Sequence, residues 1–201
     1  MTPVERAEQV YGLTKGLALP NAIVQGISGI FGSGIPLLID AGALFFYWKM
    51  WNDIRAIYGH GAITKKAAIA YLRPNISYLV QDLIFDKGVG AFVPIVGIPL
   101  NFIFAKALTW RLGAWFGLLS AMAKARSANN IPDPILTRYS LALVQQFFPP
   151  ETLAIFTESE PDKDDFINFV ASLEGLSDEE ARKRLQNALD ALQGKGDKKP
   201  T

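Results

Sequence analysis

Two stretches of this sequence are apolar, rich in glycine and proline, and similar to each other. The first is GIFGSGIPL at residues 29–37 and the second is GAFVPIVGIPL at residues 90–100, and both end in Gly-Ile-Pro-Leu. An aromatic-rich segment with one lysine follows each stretch, with Lys49 in the first and Lys106 in the second. This shared order of features predicts that one apolar element is duplicated.

Neither apolar tract is long enough to cross a bilayer. A spanning helix needs about 20 mostly apolar residues, whereas segments of about 10–14 residues are more often buried or re-entrant. We therefore predict a helical hairpin in each tract that enters and leaves the bilayer by the same face, with neighbouring helices covering its turn. The residues predicted to form the turns and close helix contacts are Gly26, Gly29, Gly32, Gly34, Pro36, Gly97 and Pro99.

The composition suits a protein of which only part contacts lipid. Half of the 201 residues are apolar, 19% are charged, and the mean hydropathy is +0.18. A typical soluble domain has about 25% charged residues. The absence of cysteine excludes a disulfide scaffold and a thiol nucleophile. The amino-terminal segment lacks the apolar core of a signal peptide, so a cytoplasmic origin is the simpler interpretation.

The charge is distributed unevenly along the chain. Residues 17–123 hold eight basic and four acidic side chains, a net of +4, whereas residues 124–201 hold ten basic and thirteen acidic ones, a net of −3. No block of lysine and arginine is dense enough to predict a nucleic-acid interface.

Basic residues flank the second tract on both sides. Lys65, Lys66 and Arg73 lie between the tracts, and Lys124 and Arg126 follow the second one. The positive-inside tendency then predicts that both connections lie at the cytoplasmic face of a bacterial inner membrane. The residues predicted to be interfacial aromatic anchors are Trp48, Trp51, Trp110 and Trp115. The alternative is a helical bundle in water with an unusually apolar core and ordinary core tryptophans.

No run of alternating β-branched residues occurs, so the fold class is predicted to be all-α. Capping signals and breakers predict helices at residues 3–18, 36–58, 65–86 with an interruption at Pro74, 99–126, 134–148, 161–173 and 178–193. The predicted organisation is a membrane-associated helical domain at 1–126, a soluble helical unit at 127–194 and a tail at 195–201.

Two segments resemble conserved stretches of known proteins. The first segment contains Ile54, Ile57, Tyr58 and Gly59, and the second contains Pro94, Gly97, Asn101 and Gly113. Together they cover about residues 22–117. Through these residues the segments are similar to EcsC-like proteins and to the related domain of unknown function found after Era-type GTPase domains (the YcjF type). The resemblance implies a helical, membrane-associated domain of poorly defined biochemistry that sometimes works beside a GTPase or transporter complex. Since the chain lacks a P-loop motif, any GTPase would be a separate partner.

No motif in the sequence predicts covalent chemistry. The glycines of the first tract are not followed by the Lys-Ser/Thr of a phosphate-binding loop, so helix packing is the better interpretation. His60 is the only histidine and has neither a metal-ligand nor a nucleophile motif around it, so we interpret it as an exposed residue at a helix end. We therefore predict no enzyme activity, no cofactor and no metal.

Four charged residues lie in or beside the apolar segments, and each is costly in a bilayer unless it faces a partner. They are Asp40, Asp82, Lys106 and Arg111. We predict that Asp40 pairs with Lys106 or Arg111 across the repeat, as a structural pair rather than an ion relay.

These features predict a non-enzymatic protein that anchors or scaffolds at the membrane. Membrane lipid is the first predicted partner, and the amphipathic carboxyl-terminal helices would bind a protein partner. One alternative is a carrier of lipid or a small apolar ligand. A weaker one is a homo-oligomer that conducts ions or solutes through Asp40 and Lys106.

Overall fold

The computed structural model describes residues 1–31, 41–85, 97–123, 134–148 and 160–196. Within these ranges the chain forms seven helices and no strand, which confirms the all-α prediction. The helices are α1 (Pro3–Phe31), α2 (Ala41–Ile57), α3 (Lys65–Phe85), α4 (Gly97–Ala123), α5 (Pro134–Phe147), α6 (Lys163–Ala171) and α7 (Asp178–Gly196).

Two helix starts follow the predicted capping boxes. Thr2 Oγ1 accepts a hydrogen bond from the Glu5 amide at 3.2 Å, and the Thr2 amide donates to the Glu5 carboxylate at 2.7 Å. Ser177 and Glu180 form the same reciprocal pair at the start of α7. Each pair satisfies amide groups that have no partner inside the helix.

Two prolines predicted to break helices lie inside them instead. Helix α1 passes through Pro20 and extends well beyond the predicted end at residue 18, and α3 passes through Pro74 without interruption. A proline removes one hydrogen bond to the carbonyl four residues earlier. In α1 that carbonyl belongs to Gly16, an exposed residue that water can reach. In α3 it belongs to Ala70, which is also exposed.

Helix α2 ends where the sequence predicts. Gly59 has a φ of +76°, a conformation that favours glycine, and the amide of His60 returns to the Arg55 carbonyl at 3.0 Å. The predicted start at residue 36 lies outside the described residues.

Helix α4 is the central helix of the bundle. Every side chain from 107 to 122 is buried, and α1, α2, α3, α5 and α6 all pack against it. A helix that is apolar on all sides must be covered on all sides. For residues 107–122 of α4, the neighbouring helices provide this cover. The observed bounds agree with the predicted helix 99–126 to within three residues at each end.

Helix α1 runs antiparallel to α4 and lies very close to it. A Cβ atom added at Gly113 would lie 2.2 Å from Thr14 Oγ1, and one at Gly117 would lie 3.2 Å from Val10 Cγ1. The two glycines therefore allow this close approach. Further along, Asn21 of α1 donates a hydrogen bond to Thr109 at 2.9 Å.

Helices α2 and α3 pack on other sides of α4. Trp51 stacks on Phe116 and His60 contacts the Ser120 carbonyl, so α2 runs parallel to α4. Helix α3 crosses α4: Tyr71 stacks on Trp115, and the Leu79 carbonyl accepts a hydrogen bond from Arg111.

These directions give the bundle two different ends. The carboxyl end of α1, the amino end of α2 and the amino end of α4 lie at one end. We call this the tract end, because the two apolar tracts connect these helix ends. The segments 32–40 and 86–96, which hold most of both tracts, lie outside the described residues. The opposite end, which contains the amino terminus of α1 and the loop after α2, is called the charged end.

The three carboxyl-terminal helices pack against the same core. Helix α5 contacts α3 and α4, α6 contacts α1 and α4, and α7 covers α5. Phe166 and Val170 of α6 belong to the same hydrophobic cluster as Trp110 of α4. The predicted boundary at 126 lies outside the described residues. Helix α7 ends at Gly196, two residues into the predicted tail.

Candidate functional site

Exposed apolar side chains surround the bundle at about the middle of α4. They lie on three helices and are Leu19 (53% exposed), Ile23 (46%), Phe45 (43%) and Tyr78 (39%). Leu19 and Ile23 flank Asn21, which bonds Thr109, and Tyr78 adjoins Leu79, which bonds Arg111. All four side chains therefore lie close to one level of α4, and we call them the apolar collar. Single exposed apolar residues are ordinary, but a group at one level indicates an interaction surface.

Cationic and amphipathic side chains accompany the collar. The Lys65 ammonium lies 4.9 Å from the ring centroid of Phe45, and Lys106 of α4 is half-buried at the same level. Trp48 is also half-buried, and its indole N–H donates to the Ile63 carbonyl at 2.7 Å. Aromatic and cationic side chains of this kind are typical of the boundary between lipid and water.

A buried polar network lies just inside the collar. The Asn21 amide donates to Thr109 Oγ1 at 2.9 Å and to the Tyr47 hydroxyl at 3.2 Å. Burial raises the pKa of Tyr47 to about 12, because the phenolate would have no water around it. The network connects α1, α2 and α4 and fixes their relative register.

Arg111, one of the predicted members of a charge pair, is completely buried. Its guanidinium donates two hydrogen bonds to the Phe148 carbonyl, at 3.0 and 2.8 Å, and one to the Leu79 carbonyl. It therefore binds one carbonyl of α3 and one at the carboxyl end of α5, where a positive charge also interacts favourably with the helix dipole. Asp40 lies outside the described residues, so its pairing with Lys106 or Arg111 stays a prediction.

Three of the four tryptophans predicted to be interfacial anchors lie in the core. Trp51, Trp110 and Trp115 are each at most 2% exposed. Their rings contact other aromatic rings, with Trp51 on Phe116 at 5.2 Å and Trp110 on Tyr11 at the same distance. A ring at the boundary between lipid and water needs exposed surface, which among the four only Trp48 has. The sequence could not separate these two roles, because both place tryptophan beside apolar residues.

The residues predicted to form the hairpin turns are only partly described. Gly26 and Gly29 lie in the last turns of α1, whereas Gly32, Gly34 and Pro36 lie outside the described residues. Gly97 and Pro99 lie in the first turn of α4, and the segment before them lies outside the described residues. Proline fits there because the first amides of a helix have no partner inside it. Among the described residues, no helix combines the length and the apolar character that crossing a bilayer requires.

An open groove lies between α3 and α5. Its volume is about 550 Å³, and it is lined by Tyr71, Pro74, Asn75, Tyr78, Pro134, Thr137, Arg138 and Leu141. The Tyr71 hydroxyl and Thr137 Oγ1 lie 2.7 Å apart and close one side. Gln145 joins the two helices further along by donating to the Tyr78 carbonyl at 2.6 Å. No sequence motif indicated this groove, since it depends on which helices become neighbours.

A buried ion pair lies at the charged end. The Arg6 guanidinium binds the Glu174 carboxylate, and both side chains are less than a tenth exposed. The Arg6 guanidinium also lies 6.0 Å from the ring centroid of Tyr58. Burial raises the pKa of Tyr58, and the nearby Glu174 charge acts in the same direction. This ion pair connects the start of α1 to the loop between α6 and α7.

His60 lies beside this ion pair. The sequence indicated an exposed side chain at a helix end, but the ring is half-buried and parallel to that of Tyr58. Its Nε2 lies 2.8 Å from the Ser120 carbonyl and donates to it. The part of the chain that the structure describes holds no group of three acidic or histidine side chains suited to a metal ion.

Comparison with known proteins gives no match: no protein-family model, curated protein or solved structure matches this chain. The resemblance to EcsC-like proteins and to the domain that follows Era-type GTPases therefore stays a prediction.

Proposed function

We propose that this protein is a non-enzymatic anchoring or scaffolding protein at the cytoplasmic face of a bacterial inner membrane. In this proposal the tract end enters the bilayer surface and the charged end remains in water. The proposal depends on one observation: the carboxyl end of α1 and the amino ends of α2 and α4 lie at the same end of the bundle. In the sequence, both apolar tracts connect to these helix ends.

The collar supports this orientation. Transfer of a fully exposed leucine, isoleucine or phenylalanine from water contributes about 1.5–3 kcal/mol, so half-exposed side chains contribute about 1 kcal/mol each. Four such side chains alone would give a weak and reversible association. The apolar residues of the two tracts would strengthen it.

The positive side chains near the collar favour an anionic membrane surface. Lys65 and Lys106 lie at the collar level, and each basic residue close to such a surface contributes about 1 kcal/mol of attraction. Binding should therefore weaken as the salt concentration rises.

The scaffolding part of the proposal concerns the carboxyl-terminal helices. Leu185 and Leu189 of α7 are buried, so its apolar face covers this protein's own core. The outer face is charged and exposed, with Glu179, Lys183 and Arg184 among its residues. A protein partner, such as a GTPase or a transport complex, would bind this polar face rather than an apolar one.

Vesicle flotation with the full chain tests the proposal. We expect the protein to float with vesicles of phosphatidylcholine and phosphatidylglycerol in equal parts. Replacing two collar residues, Leu19→Gln with Ile23→Gln, should weaken binding about thirtyfold, because about 1 kcal/mol is lost at each position.

The matched control replaces two apolar residues of similar exposure away from the collar. Val4→Gln with Ile135→Gln changes side chains that are 54% and 49% exposed. This variant should float like the unaltered protein. Equal losses in both double variants, or an unaltered protein that stays at the bottom of the gradient, would contradict the proposal.

A further inference from the structure

The groove between α3 and α5 has the size and walls of a small-molecule site. Its volume of about 550 Å³ falls within the range of about 300–1,000 Å³ that is usual for ligand pockets. The rings of Tyr71, Pro74, Tyr78 and Pro134 and the side chain of Leu141 form most of its lining. Such a surface favours a hydrocarbon chain.

The polar side chains that line the groove are either positively charged or already hydrogen-bonded. Arg138 is exposed at the rim, and none of the described residues that line the groove is acidic. Thr137 is hydrogen-bonded to Tyr71, and the Asn75 amide donates to the Tyr71 carbonyl. The charge of the groove is therefore complementary to a single anionic group.

The amino end of α5 adds to this positive potential. Pro134 is the first residue of the 14-residue helix and lines the groove. The first amides of a helix have no partner inside it and carry partial positive charge. They lie within one turn of Arg138, so both attract an anion at the same end of the groove.

The geometry points to a site for a single-chain fatty acid. The carboxylate would lie between the Arg138 guanidinium and the amino end of α5, since a guanidinium can bind both carboxylate oxygens. The hydrocarbon chain would extend over Pro74 towards Tyr78 and Leu141. One chain fits the volume of the groove, whereas the two chains of a phospholipid would exceed it. This inference does not depend on the proposed membrane anchoring.

Calorimetric titration of the full chain with laurate, below the concentration at which laurate forms micelles and without vesicles, tests the site. Laurate should bind more tightly than dodecanol, which has the same chain length and no charge. Arg138→Gln should weaken laurate binding by about threefold to tenfold, because an exposed charged contact is partly screened by water. The same substitution should leave dodecanol binding unchanged.

Two further variants separate the site from general charge effects. Arg73→Gln removes an exposed arginine of α3 that does not line the groove, and it should bind laurate like the unaltered protein. Asn75→Trp fills the groove and should weaken laurate and dodecanol binding alike.

Three results would overturn the inference: no heat of binding with laurate, equal affinity for laurate and dodecanol, or equal losses in Arg138→Gln and Arg73→Gln. Because no membrane is present, these outcomes are independent of the flotation result.

Discussion

Tyr47 shows how a single buried polar residue couples the fold to pH. Its hydroxyl accepts a hydrogen bond from Asn21 in a part of the core that water does not reach, and burial raises its pKa to about 12. An unfolded tyrosine has a pKa of about 10. The folded state therefore favours the neutral hydroxyl.

The sign of the pH dependence follows from this difference. A raised folded pKa gives stability that is complete below about pH 10 and is lost as the pH rises towards about 12, by up to about 3 kcal/mol. Urea unfolding between pH 8 and roughly pH 12 should show this loss. In Tyr47→Phe the alkaline loss of stability should be smaller, because the buried hydroxyl is gone. Some loss should remain, since burial also raises the pKa of Tyr58. An unchanged alkaline loss in Tyr47→Phe would disprove the assignment.

Arg111 is the second residue whose role depends on its surroundings. Because it donates three hydrogen bonds to carbonyls of α3 and of the chain after α5, Arg111→Met should lower the free energy of unfolding by about 2–4 kcal/mol. Lys106→Met, at a half-buried position on the same helix, is the control and should change it by less than about 1 kcal/mol. Denaturant titration measures both. Similar losses in the two variants would show that the carbonyl contacts contribute little.

At the scale of helices, local signals predicted most of the architecture. The capping boxes at Thr2 and Ser177 and the glycine at 59 mark their helix ends correctly, because those contacts form within a few residues. The end of α1 before Pro20 and the interruption at Pro74 were predicted wrongly. The carbonyls that lose a hydrogen bond to these prolines, those of Gly16 and Ala70, are exposed to water, and no short window of sequence contains that information.

The candidate site shows a different limit of the sequence. The apolar segment of α4 has the composition of a membrane-facing helix, yet residues 107–122 are covered by five neighbouring helices. A membrane-facing helix and a buried core helix can have the same composition, so composition alone does not distinguish them. The collar and the groove between α3 and α5 depend on which faces meet, so neither could be predicted without the structure.

The close contact of α1 with α4 gives a prediction at the element scale. Gly113→Ala should lower the free energy of unfolding by about 1–3 kcal/mol, because its Cβ would lie 2.2 Å from Thr14 Oγ1. Gly12→Ala is the matched control: it also lies in a helix, but its Cβ would have open space. That change should stabilise the protein by about 0.5–1 kcal/mol through helix propensity. Thermal unfolding distinguishes the two variants. A change in stability of the same sign in both would contradict the close packing of α1 on α4.

At the scale of the whole molecule, the bundle has two unlike ends. Both apolar tracts connect at one end, the Arg6–Glu174 ion pair lies at the other, and the collar lies between them at about the middle of α4. Such an arrangement suits a protein that inserts one end into a membrane surface and exposes its other helices to a partner. The central claim is therefore directional: one end contacts lipid and the opposite end does not.

A fluorophore at each end measures this direction. The chain has no cysteine, so Ile23→Cys at the collar and Val4→Cys at the charged end can each be labelled singly with a polarity-sensitive dye. On addition of anionic vesicles, the account predicts a blue-shifted and brighter emission from the label at 23 and no change from the label at 4. Equal shifts at both positions, or a shift at position 4 alone, would contradict it.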